Sequence, residues 1–305
     1  MKGTREAEVF GINRYRNRRV DGHVHTELCP HGSGDKTALM VEKAIELHLE
    51  KICFTEHAPL PVEFSKVYLG DKKALDTAAL TLDQVETYLA LGNDLQKEYG
   101  EAIDISLGFE VDYLPGFESY TRSFLDQYGP VTGDNILSLH FMEGMAGGYW
   151  CLDYSPQEFE NAFGPWIDQQ DLLYGRYFET LLKGVRTDFG PYRPKRIGHL
   201  DSIKKFNRYF HWKPDLDDKS KGLVLEILRT LKSQGRELDY NLAGLSKEYC
   251  GEVYPSRYIQ GMAYVLGLPY VVGSDAHSIL ALQKTWGPGA AILDAQAEAH
   301  EEGEA

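Results

Sequence analysis

The chain has 305 residues, 43% hydrophobic and 26% charged, which is enough apolar content for one large core and excludes a fibrous or low-complexity polymer. Its formal net charge of −14 at pH 7 argues against a general nucleic-acid binder, because an acidic surface repels phosphate backbones. No apolar run is long enough to span a membrane, MKGTREAEVF lacks the apolar core of a secretory leader, and Cys29, Cys53, Cys151 and Cys250 form no C-x-x-C pair, so a cytoplasmic protein with reduced thiols is expected.

Residues 1–18 read as an N-terminal extension, 19–295 as a single domain, and 296–305 as an acidic, disordered tail. The first strand is expected in RRVDGHVHTE, followed by a helix in DKTALMVEKAIELHLEK whose Leu39, Ala44, Ile45, Leu47 and Leu49 share a face. KICFTEHAP reads as the second strand, 58–73 as a loop, and 81–99 as a helix carrying Val85, Leu89, Leu91 and Leu95. IDISLGFEVDYL and NILSLHFM follow as strands, then a Gly-rich aromatic loop at 145–154 and helical sequence at 157–185. KRIGHLD, ELDYNLAGL and YVVGSDAHS complete the strands, separated by helices at 219–233 and 258–266. Strands alternating with helices predict parallel βα units. Seven of them without a linker predict an α/β fold, a distorted seven-stranded (β/α)7 TIM-like barrel.

Six of the seven runs end in residues that bind metals, and the C-terminal ends of barrel strands surround one pocket. They supply His23 and His25, His57, Glu110, His140, His199, and Asp275 with His277, while His31 lies on the first loop. His-x-His and Asp-x-His on extended chain point both side chains to one side. Imidazoles with carboxylates suit zinc, iron or manganese, and nine donors exceed what one tetrahedral ion uses, so two or three ions are implied. Glu110 and Asp275 are the bridging candidates, since a carboxylate has two oxygens to share. Cys29 lies inside the opening motif, but among so many histidines it reads as a structural thiol. Asp21 is the candidate to orient His23 and Glu56 a structural neighbour of His57, while His48, His211 and His300 stand apart from the pattern.

At these residues the sequence resembles the PHP (polymerase and histidinol phosphatase) superfamily, from Asp21 to about Gly287. The phrases TEHAP, LSLHF with CLDYSPQEF, RIGHLDSIKKF and LDYNLAGLSKEYCGEVYPS are similar to the monofunctional histidinol-phosphatase family within it. The resemblance implies the PHP barrel and three divalent or transition-metal ions. His23, His25, Glu110 and Asp275 would hold one, Glu110, His140 and His199 a second, and His31, His57 and His277 a third. It implies hydrolysis of L-histidinol phosphate in histidine biosynthesis by a hydroxide bridging two ions, with Asp275 and Glu110 as the catalytic acids. Lys204, Lys205 and Arg257 are the candidates for phosphate, and Asp112, Tyr113, Asp153 and Tyr154 for the rest of the substrate. The alternative is another small phosphomonoester or nucleotide. Related enzymes carry arginine where this chain has Ser246, and often Arg-Lys where it has Lys204 and Lys205. Neither nucleic acid nor membrane is expected as a partner.

Overall fold

Residue parity along each strand decides which wall of the barrel it builds. In the computed structural model, which describes residues 12–14 and 19–288, the strands are β1 (Ile12–Asn13), β2 (Val20–Val24), β3 (Lys51–His57), β4 (Asp104–Asp112), β5 (Ile136–Ser138), β6 (Phe141–Glu143), β7 (Tyr149–Cys151), β8 (Arg196–Ile197), β9 (Glu237–Asn241) and β10 (Pro269–Gly273). On β4, Ile105, Leu107, Phe109 and Val111 join the apolar cluster shared with the surrounding helices, whereas Ser106, Gly108, Glu110 and Asp112 do not. On β3, Ile52 and Phe54 join it, and Cys53, Thr55 and His57 do not. Period two therefore sends apolar residues outward under the helices and polar residues into the lumen. The usual barrel fills its interior with branched aliphatics. This one fills it with charge.

The parallel sheet runs in the order β1-β10-β9-β8-β5-β4-β3-β2. All seven expected strands are present, and they close into a barrel at a seam on β10. The start of β10 pairs with β1 (Ile12↔Pro269, Asn13↔Tyr270), and just beyond its end Ala276 pairs with Val24 of β2. Part of the span read as an extension thus adds an eighth, short strand. The expected tail, 296–305, lies outside the described residues.

Close approach across this seam requires glycine. A Cβ on Gly22 would sit 2.4 Å from Arg196 Nη1 and from Val271 Cγ1, and one on Gly273 would sit 2.6 Å from His23 Cβ. Arg196 is fully buried in the lumen, where it donates to Gly22 O (2.7 Å) and Asp134 O (3.0 Å). Asp134 also faces Lys51 (3.7 Å) and Arg14 (3.5 Å), and Arg14 reaches Glu237 (2.9 Å), so the barrel floor is an ionic network.

Several expectations change. The expected loop at 145–154 contains half of an antiparallel hairpin, β6–β7, with Phe141↔Cys151 and Glu143↔Tyr149 in register; Gly144, Gly147 and Gly148 supply its turn. The helical sequence at 157–185 divides into Pro156–Phe163 and Gln170–Arg186, because Pro165 has no N–H to continue the ladder. The loop at 58–73 holds a short 3₁₀ turn, Val62–Lys66, and ends in a helix, Lys72–Asp76. Helices Glu118–Tyr128 and Ile279–Trp286 were not anticipated. Among the described residues no helix is long and apolar enough to cross a membrane.

Candidate metal centre

The nine expected donors meet at the C-terminal end of the barrel. Glu110, at the end of β4 and 2% exposed, stands at the middle. Its Oε2 lies 3.2 Å from His57 Nδ1, 3.3 Å from His23 Nε2 and 3.7 Å from His25 Nε2. Its Oε1 lies 2.9 Å from His199 Nε2 and 3.6 Å from His140 Nε2, and accepts from Ser138 Oγ at 2.6 Å. Asp275 Oδ1 lies 3.3 Å from His25 Nε2 and 3.9 Å from His23 Nε2, and its Oδ2 accepts from Asn241 Nδ2 (3.2 Å). Two carriers have left-handed backbones, Asp275 at φ 53° and His199 at φ 21°. Such conformations are costly for non-glycine residues and persist where the surroundings impose them.

Outer hydrogen bonds set the tautomers. His23 Nδ1 meets Asp239 Oδ2 at 2.8 Å, His140 Nδ1 meets Asp112 Oδ1 at 3.0 Å, His31 Nδ1 meets Thr77 O at 2.7 Å, and His277 Nδ1 meets Asp275 O at 2.9 Å. Each acceptor requires the proton on Nδ1, so each Nε2 turns a lone pair inward. Two pairs of Nε2 atoms then face each other, His31 with His277 at 3.0 Å and His140 with His199 at 3.1 Å. His31 and His277, both held below the ordinary histidine value, turn two lone pairs on each other, which repel unless a cation joins them. Buried His23 Nε2, both nitrogens of His25 and His57, and His199 Nδ1 have no hydrogen-bond partner. Unpaired buried donors and acceptors of this kind are costly, and metal coordination satisfies them. The residues fit metal ions.

The electrostatics agree. Burial opposes charge on His25, yet the facing carboxylates of Asp275 (3.3 Å) and Glu56 (3.6 Å) push its pKa up to about 9. Burial opposes charge on His140 as well, yet Asp112 and Glu110 push it up to about 10. Burial and the charge of His25 hold His57 and His277 well below the ordinary histidine value. Histidines held neutral lose stability for the fold below pH 6.5, because only the unfolded chain then takes up protons. Histidines with raised pKa contribute stability below 6.5 that disappears as pH rises through about 9 and about 10. The chelator-treated protein is therefore expected to melt highest near pH 6.5 and lower on either side. Melting curves across acid to alkaline buffers check this, and a melting temperature still rising at pH 9 would contradict it.

Sequence reasoning missed Asp239 as the partner of His23. Asp21, expected in that role, instead accepts from the His23 backbone N (3.2 Å), Ser274 N (2.9 Å) and Trp286 Nε1 (2.7 Å). The signal was present, since Asp239 and Asn241 share parity on β9 and face the lumen. Asp239→Asn is expected to weaken metal binding about 10–100-fold while leaving the far-ultraviolet circular dichroism unchanged. Competition with a chromogenic chelator measures it.

A cavity of about 620 Å³ opens above the donors, within the range of small-molecule sites. Lys205 lines it, its Nζ 3.0 Å from Asp153 Oδ2, and Asp153 is held far below the usual carboxylate range by Lys205 although burial opposes this. Lys204 turns away, buried with its Nζ 2.5 Å from Glu252 Oε1, and exposed Arg257 is not part of the lining. Asp112 and Tyr154 line the cavity; Tyr113 does not, and its hydroxyl faces Glu118 at 3.4 Å. Ser246 lines it with Oγ donating to Ala243 O (3.0 Å), and Lys247 and Lys284 stand beside it in the lining.

Comparison with known proteins agrees with this geometry. The PHP domain family model matches residues 21–243. Histidinol-phosphatase of Bacillus subtilis (strain 168) is 37% identical over 257 residues, covering 84% of this chain and 92% of that protein. A Listeria monocytogenes crystal structure assigned as a histidinol phosphatase, HisK, superposes with TM-score 0.83 at 39% identity, covering 88% of this chain and 99% of that one. Histidinol phosphate phosphatase of Lactococcus lactis, solved with zinc, L-histidinol and phosphate, shares the fold with TM-score 0.58 at 20% identity, covering 87% of this chain and 90% of that one. The chain belongs to the PHP-domain proteins and, within them, to the histidinol-phosphatase family.

Proposed function

We propose that this protein hydrolyses L-histidinol phosphate to L-histidinol and inorganic phosphate in histidine biosynthesis. The observation that carries the reading is the convergence of five imidazoles on Glu110, with the facing His31–His277 couple beside them, at the base of a cavity of substrate size. Three ions, of zinc, iron or manganese, fit the donors: His23, His25, Glu110 and Asp275 for one, Glu110, His140 and His199 for a second, His31, His57 and His277 for a third. When bound, such ions supply Lewis-acid charge at the phosphoryl group and a nucleophile at neutral pH. Glu110 offers one oxygen to each side of the cluster and holds its two halves in register. Asp275 Oδ1 faces the cluster with its other oxygen fixed by Asn241, so it orients the attacking water. Lys205 is the phosphate contact this geometry favours over Lys204 and Arg257, because it alone of the three lines the cavity. Asp153 beside it is an acceptor for the substrate's amine. A cytoplasmic setting is supported by four free, buried cysteines.

Another small phosphomonoester is the competing reading: the resemblance implies arginine where Ser246 lines the cavity wall, and a serine offers an anion no cationic contact there. Phosphate release from L-histidinol phosphate, other phosphomonoesters and a dinucleotide, with manganese, zinc or iron supplied, separates the two. Preference for histidinol phosphate that His199→Ala abolishes supports the first. Faster turnover of another ester, equally sensitive to His199→Ala, would keep the site and overturn the substrate.

A further inference from the structure

The sulfur of Cys29 lies where a metal donor belongs. It shares a cluster with one nitrogen each of His25, His57 and His277, all four atoms within 4.8 Å of one another. His25 and His57 are buried, and their ring nitrogens are without hydrogen-bond partners. Cys29 itself is 5% exposed yet belongs to neither apolar cluster, so hydrophobic packing does not explain its burial. Two successive turns aim it: Cys29 N donates to Thr26 O (3.2 Å), and Gly32 N donates to Cys29 O (3.0 Å). Burial and the charge of Glu56 push the Cys29 thiol up, and the backbone N–H groups of His31 and Gly32 offset only part of this, so the sulfur ionises where a cation takes the place of its proton. Cys151 provides the contrast. It lines the cavity, which Cys29 does not, but its side chain packs in an apolar cluster, Sγ lies 3.3 Å from Asp153 Oδ1, and it joins no group of donors.

We propose that Cys29 is a metal donor of this centre, its thiolate joining His57 and His277 on one ion, so that one position of the cluster carries sulfur. This rests on the metal reading above. On binding, the S–H bond is replaced by a sulfur–metal bond and the proton passes to solvent. The chemical consequence is selectivity. A thiolate favours zinc or cobalt over manganese and magnesium, so this position discriminates among ions that the nitrogen and oxygen donors alone would take alike.

X-ray absorption at the zinc edge of the full-length, zinc-loaded protein tests this without any substitution. A sulfur shell at about 2.3 Å is expected beside nitrogen and oxygen at about 2.0–2.1 Å. Cys29→Ser should remove that shell and Cys151→Ser should keep it, with cobalt-loaded samples losing the thiolate charge-transfer band in parallel. Zinc held by nitrogen and oxygen alone overturns the proposal and leaves the metal reading standing. A sulfur shell that disappears with Cys151→Ser overturns it too. Failure of the wild-type chain to retain either ion overturns the metal reading itself. Should Cys29→Ser fail to fold, the wild-type and Cys151→Ser spectra still decide, since the sulfurs of Cys53 and Cys250 join no donor group among the described residues.

Discussion

Glu110→Gln is expected to leave a folded barrel with almost no phosphatase activity, at least about 10³-fold down in kcat, the scale of losing a preorganised charge at a reacting centre. Five imidazoles face the two carboxylate oxygens of Glu110, and an amide offers them one neutral oxygen and an N–H in place of a shared negative charge. Metal content should fall with activity, because one side of the cluster loses its anionic donor outright. Elemental analysis alongside phosphate release tests both, and a variant that kept its full metal complement and turned over at the wild-type rate would remove Glu110 from the centre.

The largest effect on stability is expected at the opposite end of the lumen. Arg196→Met should lower the unfolding free energy by about 3–5 kcal/mol, the range for breaking one side of a buried ionic group. The methionine fills the lumen but cannot donate to Gly22 O or Asp134 O, and it leaves Asp134 and Glu237 without their buried cation. Urea denaturation should show a lower midpoint with an unchanged slope. Activity per folded molecule should stay near wild type, since Arg196 touches none of the nine donors. An unchanged midpoint would mean that Arg14 and Lys51 carry the floor alone.

Much of this was legible because both the barrel and its donors follow local periodicity. A strand whose outward residues are apolar and whose inward residues are polar advertises itself by alternation, and a ligand at its end falls on the inward parity. That logic identified His23, His25, His57, Glu110, His140, His199, Asp275 and His277 before any coordinates. The same parity held the carboxylate partners of His23 and His140. Asp239 and Asp112 sit two residues from lumen-facing neighbours, but a carboxylate whose role is to receive an imidazole proton looks, in sequence, like any acid. Asp21 was preferred to Asp239 because it is near His23 in the chain, whereas the contact crosses the seam. Lys204 and Lys205 are adjacent and identical in type, and only the 3₁₀ turn Ser202–Phe206 decides which enters the cavity. The helix Glu118–Tyr128 did carry its signal in Thr121, Phe124, Leu125 and Tyr128, at helical spacing on one buried face. The β6–β7 hairpin was hidden because its glycines read as loop.

The seam on β10 also sets an order of events. His23 and His25 are made with β2, but the chain that closes against them, with Asp275 and His277, follows only after every other strand from β3 to β9. A nascent chain therefore holds an open, curved sheet with its polar lumen exposed and its donors incomplete, and long-range parallel pairing of this kind is slow to form. A chain truncated before β10 would lose both the closing strand and Asp275, so the lumen and its donor set are completed by one and the same segment.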